Sequence, residues 1–205
     1  MPQTSPSRAK KIKLLLFDVD GVLTDGKLFF VPATPAVIER TGTLGGSSGI
    51  NLTSQGSIEI KGFHAHDGVA ISLARVAGIK TGLITKRSSE TVAVRARDLK
   101  LDHIHQGIQD KLGAFREILA KEGLTEAEAC FVGDDVMDLP VMWNCGLAIA
   151  VANARDDVKK DAHYVTKHRG GDGALRDAVE FILKSQGRLK KVVEEYVGAG
   201  SKESQ

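Results

Sequence analysis

A chain of 205 residues, 42% hydrophobic and 26% charged, has enough apolar material for one medium-sized globular domain with a full core. Its formal net charge of +2 gives no electrostatic ground for a nucleic-acid partner, and no apolar run reaches the roughly 18 residues that a membrane-spanning helix needs. Two cysteines, Cys130 in an apolar run and Cys145 beside a glycine, make no disulfide framework, so a reducing cytoplasm is the expected setting.

The N-terminal "MPQTSPSRAKK" lacks the apolar stretch of a signal peptide. Its basic residues, and those of "GRLKKVV" near the other end, read as solvated termini. "KIKLLLF" (11–17) is an apolar run too short for an ordinary helix, and reads as a strand. It runs straight into "DVDGVLTDG". From 26 to 63 the rhythm changes. "KLFFV" and "SIEIKGF" look like two strands around a Gly/Ser/Thr-rich segment, which predicts a β-hairpin with a long mobile loop at 32–56; loops of that length are functional or disordered more often than not. Asp25 and Gly26 suit the turn into the hairpin.

Beyond it, strand and helix patterns alternate. "DGVAISLARVAG" (67–78) has helical spacing with Gly78 just past its end, and "IKTGLIT" (79–85) reads as a buried strand. "SSETVAVRARDLK" (88–100) reads as a helix opened by a serine cap. "HIHQ" is a short strand, and "DKLGAFREILAKEG" (110–123) an amphipathic helix with Leu112, Phe115, Ile118 and Leu119 on one face. "ACFVGDD" (129–135), "GLAIAVA" and "HYVT" are further strands, and "GALRDAVEFILKSQG" is a closing helix. The polar, glycine-containing end reads as a flexible tail over 190–205. Repeated strand-then-helix order predicts an α/β fold: a Rossmann-like, doubly wound parallel sheet in a single domain over 1–205.

Such sheets bind ligands at the carboxyl ends of their strands. Asp18 and Asp20 follow the first strand. Thr85 follows "KTGLI", with Lys86 and Arg87 behind it. Asp134 and Asp135 follow "CFVG", with Asp138 close behind, and Lys111 opens the helix after "HIHQ". Carboxylates crowded on one rim call for a cation, and a hard ion such as Mg²⁺ suits oxygen ligands. A lysine and a hydroxyl beside them suit a phosphate. The residues themselves therefore point to Mg²⁺ and a phosphorylated substrate.

In that order the segments resemble the four motifs of the haloacid dehalogenase-like (HAD-like) phosphohydrolases. "DVDGVLTDG" is similar to the first, a DxDx(T/V) pattern. Thr85 matches the second, Lys111 the third and "GDDVMD" the fourth. Longer stretches resemble one family within them, the 3-deoxy-D-manno-octulosonate 8-phosphate (KDO 8-phosphate) phosphatases: "KGFHAHDG", "LITKRS", "HQGIQDKL", "FVGDDVMDLPVM", "YVTKHRGGDGALRD" and "FILKSQGRL". The likeness runs from near Lys13 to Leu189, broken only by the hairpin.

That resemblance implies a fold without a large cap domain, a β-hairpin insertion after the first strand, and four subunits whose neighbours close each other's sites. It implies a cytoplasmic phosphatase of lipopolysaccharide precursor biosynthesis. Asp18 would be the nucleophile, forming an aspartyl-phosphate, and Asp20 the acid and base. Thr85 and Lys111 would hold and stabilise the transferring phosphoryl group. Mg²⁺ would be held by the Asp18 side chain, the Asp20 backbone carbonyl and Asp134, with Asp135 and Asp138 orienting them. Substrate contacts would come from Asp20, His64, Ala65, His66, Asp67, Gly68, Arg87, His103 and Lys111. The chain departs from the family pattern at Lys86, where glycine is usual, at His66, where arginine is common, and in its long hairpin. Two other readings remain open: a phosphatase for a nine-carbon, sialic-type acid phosphate, and a non-catalytic assembly or regulatory module.

Overall fold

The computed structural model describes residues 4–32 and 57–200. In chain order its strands are β1 (Leu14–Phe17), β2 (Phe29–Pro32), β3 (Ser57–Ile60), β4 (Lys80–Ile84), β5 (His103–His105), β6 (Ala129–Gly133), β7 (Leu147–Ala150) and β8 (Tyr164–Val165). The helices are α1 (Ser5–Ala9), α2 (Ala65–Val76), α3 (Glu90–Asp98), α4 (Lys111–Glu122), α5 (Leu139–Asn144), α6 (Asp156–Asp161), α7 (Ala174–Ser185) and α8 (Leu189–Gly200).

Six strands pair in parallel in the order β5-β4-β1-β6-β7-β8. All four residues of β1 and all five of β6 are buried, as strands covered on both faces must be. Helices α1, α2, α7 and α8 pack together as one group, and α4, α5 and α6 as another. From β1 the chain builds outward through β4 and β5, then crosses back to start β6 on the other side of β1. This reversal opens a crevice between β1 and β6 at their carboxyl ends. The doubly wound parallel sheet expected from the sequence is therefore present. The hairpin is present too, with β2 and β3 antiparallel and Phe29 opposite Ile60. The loop between these strands lies outside the described residues. No helix among the described residues is long and apolar enough to cross a membrane.

One expectation is corrected. The segment from 190 onward is helical as far as Gly200, not a tail; 201–205 lie outside the described residues. Leu189, Val192, Val193 and Tyr196 recur at helical spacing, and Val192 is 2% exposed. Helix α8 packs against α2, and Lys190 faces Glu194, and Lys191 faces Glu195, one turn on. The glycines near its end do not stop a helix whose apolar period packs Leu189, Val192 and Val193 against the core.

A loop after β8 braces the turn that follows β1. Gly170 N–H donates to Asn153 Oδ1 at 2.6 Å, and Gly171 N–H to Val22 O at 3.0 Å. A Cβ on Gly170 would fall 1.7 Å from the Gly21 carbonyl oxygen, so backbone must pass against backbone here. Gly170→Ala should therefore destabilise the fold by about 2–3 kcal/mol. A urea denaturation curve with an unchanged midpoint would contradict this.

Candidate active site

The site begins where the sheet runs out of partners. Asp18 N–H donates to Val132 O at 3.0 Å, a last rung between β1 and β6 that sets Asp18 beside the end of β6. The chain then winds through a tight turn, Val19–Leu23. Gly21 sits at φ 91°, and a Cβ there would lie 2.1 Å from Asp134 Oδ2. Conformation and space both demand glycine, and its absent side chain lets the turn after β1 lie against the carboxylate after β6.

Lys111 is the first residue of α4, whose start is capped by Asp110 accepting from Gly113 N–H at 2.9 Å. Its side chain is buried. The ammonium lies 2.7 Å from Asp138 Oδ1 and 3.1 Å from Asp18 Oδ1. Asp138 is 0% exposed, and its other oxygen accepts from the backbone N–H groups of Asp134 and Asp135 at 3.0 and 3.4 Å. Asp138 is thus fully partnered. Asp18 and Asp134 are not: Oδ1 of each is buried with no hydrogen bond, the Lys111–Asp18 approach being an ion pair without hydrogen-bond alignment. Oxygens of Asp18, Asp134 and Asp138 lie within 4.8 Å of one another.

The electrostatics follow. Burial, then the Asp138 charge, push Asp18 up to about 6 against the pull of Lys111. Burial, then Asp138, Asp18 and Asp135, push Asp134 up to about 7. Burial alone would lower Lys111, but Asp138 and Asp18 outweigh it and raise it. Three carboxylates face one ammonium, and two of them hold buried oxygens without a hydrogen bond, that of Asp18 ion-paired with Lys111. That donor set fits a hard divalent cation such as Mg²⁺ held between Asp18 and Asp134.

A second group sits beside the first. Asp20 Oδ1 accepts a hydrogen bond from Lys61, whose side chain is 0% exposed. Arg87 Nε lies 3.5 Å from Asp20 Oδ2, and Arg87 Nη2 lies 2.7 Å from Glu59 Oε1. Ser89 Oγ donates to Glu59 Oε2 at 2.5 Å. Burial pushes the Glu59 carboxyl up, but Ser89, Arg87 and Lys61 together hold it below the ordinary range. Thr85 is buried at the end of β4, its N–H bonded to His105 O at 2.9 Å.

A family model described as haloacid dehalogenase-like hydrolase matches residues 74–176. The KDO 8-phosphate phosphatase of Yersinia pestis is 35% identical over 183 residues, 89% of this chain and 86% of that one. The enzyme of Escherichia coli K12 is also 35% identical over 183 residues, covering 89% and 85%. A solved KDO 8-phosphate phosphatase from Moraxella catarrhalis, in complex with a magnesium ion, a phosphate ion and KDO, is 32% identical with a TM-score of 0.78, covering 93% of this chain and 97% of that one. This chain belongs to the HAD-like hydrolases, in the KDO 8-phosphate phosphatase family.

The motif residues of this phosphatase family fall where the sequence placed them. Asp18 and Asp20 follow β1, Thr85 follows β4, Lys111 opens α4, and Asp134, Asp135 and Asp138 follow β6. Asp135 caps the turn after β6, accepting from Val136 N–H at 2.7 Å, rather than touching Asp18 or Asp134. Asp25 makes the expected turn, accepting from Lys27 N–H at 3.0 Å. His64, Ala65 and His66 form the start of α2; His64 Nδ1 accepts from His66 N–H at 3.3 Å, and its Nε2 lies 3.7 Å from Asp172.

Three further residues expected to contact substrate have other partners among the described residues. Asp67 is fully buried and accepts from Gly173 N–H and Arg176 N–H at 3.2 and 3.0 Å. Its side chain satisfies the open start of α7. Gly68 packs under Arg95, whose Nη2 a Cβ would approach to 2.8 Å. His103 is buried at the start of β5, with Nε2 2.8 Å from Glu122. Glu122 ends α4, about 16 Å from Lys111 along the helix. Conversely, Lys61, Glu59 and Ser89 join the site unannounced. Their one sequence signal is the Glu-x-Lys spacing, which puts both charges on one face of β3 and its extension. A cavity of about 780 Å³ lined by Lys10, Lys11, Lys13 and Arg188 brings the two basic ends of the chain together, away from these residues.

Asp18 and Asp134 titrate above an ordinary carboxyl, so their protonation favours the metal-free fold. That contribution is full below the unfolded value of 3.8 and is lost as pH rises through about 6 and about 7. Mg²⁺ competes with those protons. Added Mg²⁺ should therefore raise Tm more at about pH 8 than at about pH 6. An equal or larger rise at the lower pH would contradict the assignment.

Proposed function

We propose that the protein is a Mg²⁺-dependent phosphatase of one domain with a hairpin insertion, hydrolysing KDO 8-phosphate to KDO and inorganic phosphate in lipopolysaccharide precursor synthesis. The observation that carries this is Asp18 at the end of the central strand, with Lys111 on one side and an unpaired Asp134 on the other, in a chain of this family.

The chemistry is two displacements. The Asp18 carboxylate attacks phosphorus, and the phosphorus–oxygen bond to the sugar breaks. Asp20 gives its proton to the departing sugar oxygen, and KDO leaves. Asp20 then takes a proton from water as that water attacks the aspartyl-phosphate. The acyl-phosphate bond breaks, freeing phosphate and regenerating Asp18. Lys111 sets its ammonium against the negative charge on Asp18 and the phosphoryl group. The Thr85 hydroxyl donates to a phosphoryl oxygen. Mg²⁺ would be held by Asp18, Asp134 and the Asp20 carbonyl, and would supply positive charge to the phosphoryl group. Asp138 keeps this arrangement in place by fixing Lys111 and the backbone of Asp134, and Asp135 caps the turn that carries Asp138.

Arg87 presents a planar fork to the sugar's carboxylate, with His64 and His66 at the start of α2 as neighbours. The nine-carbon and non-catalytic readings have less support, because nucleophile and lysine are both in place and the relatives carry the eight-carbon name. Four copies assemble through their hairpins and complete each other's sites. Supporting this, Phe29 and Phe30 are 52% and 50% exposed, with Leu28, Val31 and Ile60 exposed around them; so much apolar surface marks an interaction face. A cytoplasmic setting suits Cys130 and Cys145, both buried free thiols.

Asp18→Asn should lower Mg²⁺-dependent phosphate release from KDO 8-phosphate by a factor on the order of 10⁴ or more. Turnover within tenfold of wild type would sink the mechanism, and a nine-carbon acid phosphate with the higher kcat/KM would displace the substrate. Separately, Phe29→Asp with Phe30→Asp should convert a tetramer to smaller species in analytical ultracentrifugation; an unchanged mass would exclude the hairpin as the contact.

A further inference from the structure

We propose that Lys61 is a positioning residue for Asp20: it holds Oδ1 of that carboxyl and leaves Oδ2 as the oxygen that exchanges the proton with substrate and water. The inference rests on the acid and base role of Asp20 proposed above, and adds which of its oxygens acts and what fixes it.

Hairpin β3 is built the wrong way round for a surface strand. Its apolar Ile60 is 49% exposed, whereas Glu59 and Lys61, which alternate with it, turn inward, with side-chain exposures of 9% and 0%. Burying an ammonium is unfavourable unless opposite charge and hydrogen bonds meet it. Lys61 meets two carboxylates: it donates to Asp20 Oδ1, and lies 3.6 Å from Glu59 Oε1. Glu59 is itself held by Arg87 and Ser89, and its backbone carbonyl accepts from Thr91 Oγ1 at 3.2 Å. The lysine is therefore anchored at one end to the body of the protein and at the other to Asp20.

The two oxygens of Asp20 then differ. Oδ1 is committed to a buried lysine. Oδ2 has no hydrogen bond among the described residues, and Arg87 Nε at 3.5 Å is its nearest charged neighbour. One carboxyl must protonate the leaving oxygen and later deprotonate water at the same place. Holding Oδ1 stops the carboxyl rotating between those acts. A displacement of about 1 Å at such a group costs about a hundredfold in rate.

The test uses leaving groups. A sugar alkoxide needs a proton to depart; the leaving group of an activated ester, p-nitrophenyl phosphate or acetyl phosphate, does not. Pre-steady-state release from both kinds of ester is measured for Lys61→Met, with folding checked by circular dichroism. First-turnover release from KDO 8-phosphate should fall about 30- to 100-fold with KM changed less than about threefold, and first-turnover release from the activated ester should fall less than about fivefold. Lys61→Arg should recover most of the loss. Should Lys61→Met fail to fold, Lys61→Gln is read by the same ratio. Equal losses on both esters, or no loss on either, overturn the inference. Asp20→Asn is run alongside: if it shows no leaving-group dependence, the acid and base assignment itself fails and this inference with it. If Asp20→Asn shows the dependence and the Lys61 variants do not, the inference about Lys61 alone is wrong.

Discussion

Three carboxylates and one ammonium share a buried space at the end of the central strand, and the imbalance of charge there governs the rest of the site. Asp138 resolves its part within the protein, taking Lys111 and two backbone amides. Asp18 and Asp134 are each left with a buried oxygen that has no hydrogen bond, and the one ammonium they share is already held by Asp138. A protein pays for such a defect only where something else supplies the missing charge. Here the geometry implies one supplier, a divalent cation between Asp18 and Asp134. The shifts of Asp18 and Asp134 to about 6 and about 7 are the same defect expressed as proton affinity.

Holding that defect in place takes rigid backbone more than side chains. The rung from Asp18 to β6 fixes the separation of the two strand ends. Gly21 lets the following turn close on Asp134, and Gly170 lets a remote loop lie on that turn. Asp67, buried between α2 and the start of α7, ties that loop region to the helix that follows the hairpin. Strand ends, two glycines and one buried carboxylate thus form a frame, and the residues with proposed chemical roles hang from it. The reversal of strand order makes a crevice at this point of the sheet and no other.

Much of this was legible from sequence because it depends on short local patterns in a fixed order. Apolar runs ending in acids, with helical periods between them, specify a parallel sheet and place Asp18, Thr85, Lys111 and Asp134 at its rim. What was not legible depends on which face a residue turns to. His103 and His105 look alike in the text, but register opposite Gly82 buries His103 and sends it to Glu122. Asp67 sits in the middle of a substrate-like segment, yet the open start of α7 claims it. Lys61 reads as one more surface lysine, since nothing local says that its strand hides charge and shows apolar side chains. Helix α8 was lost to its glycines although its apolar period was in plain view.

That inverted hairpin joins the two proposed properties of the protein. A two-stranded sheet has little stability of its own, and this one holds to the body chiefly through Glu59 and Lys61. Its outward face, with Phe29 opposite Ile60, gains by meeting another such face and not by meeting water. Each contact stiffens the other. A partner's hairpin that covered Phe29 would restrain the strand that carries Lys61, as Lys61 would restrain Asp20. Proton transfer at Asp20 would then be sensitive to assembly even if no atom of a neighbouring copy touched the reacting bond.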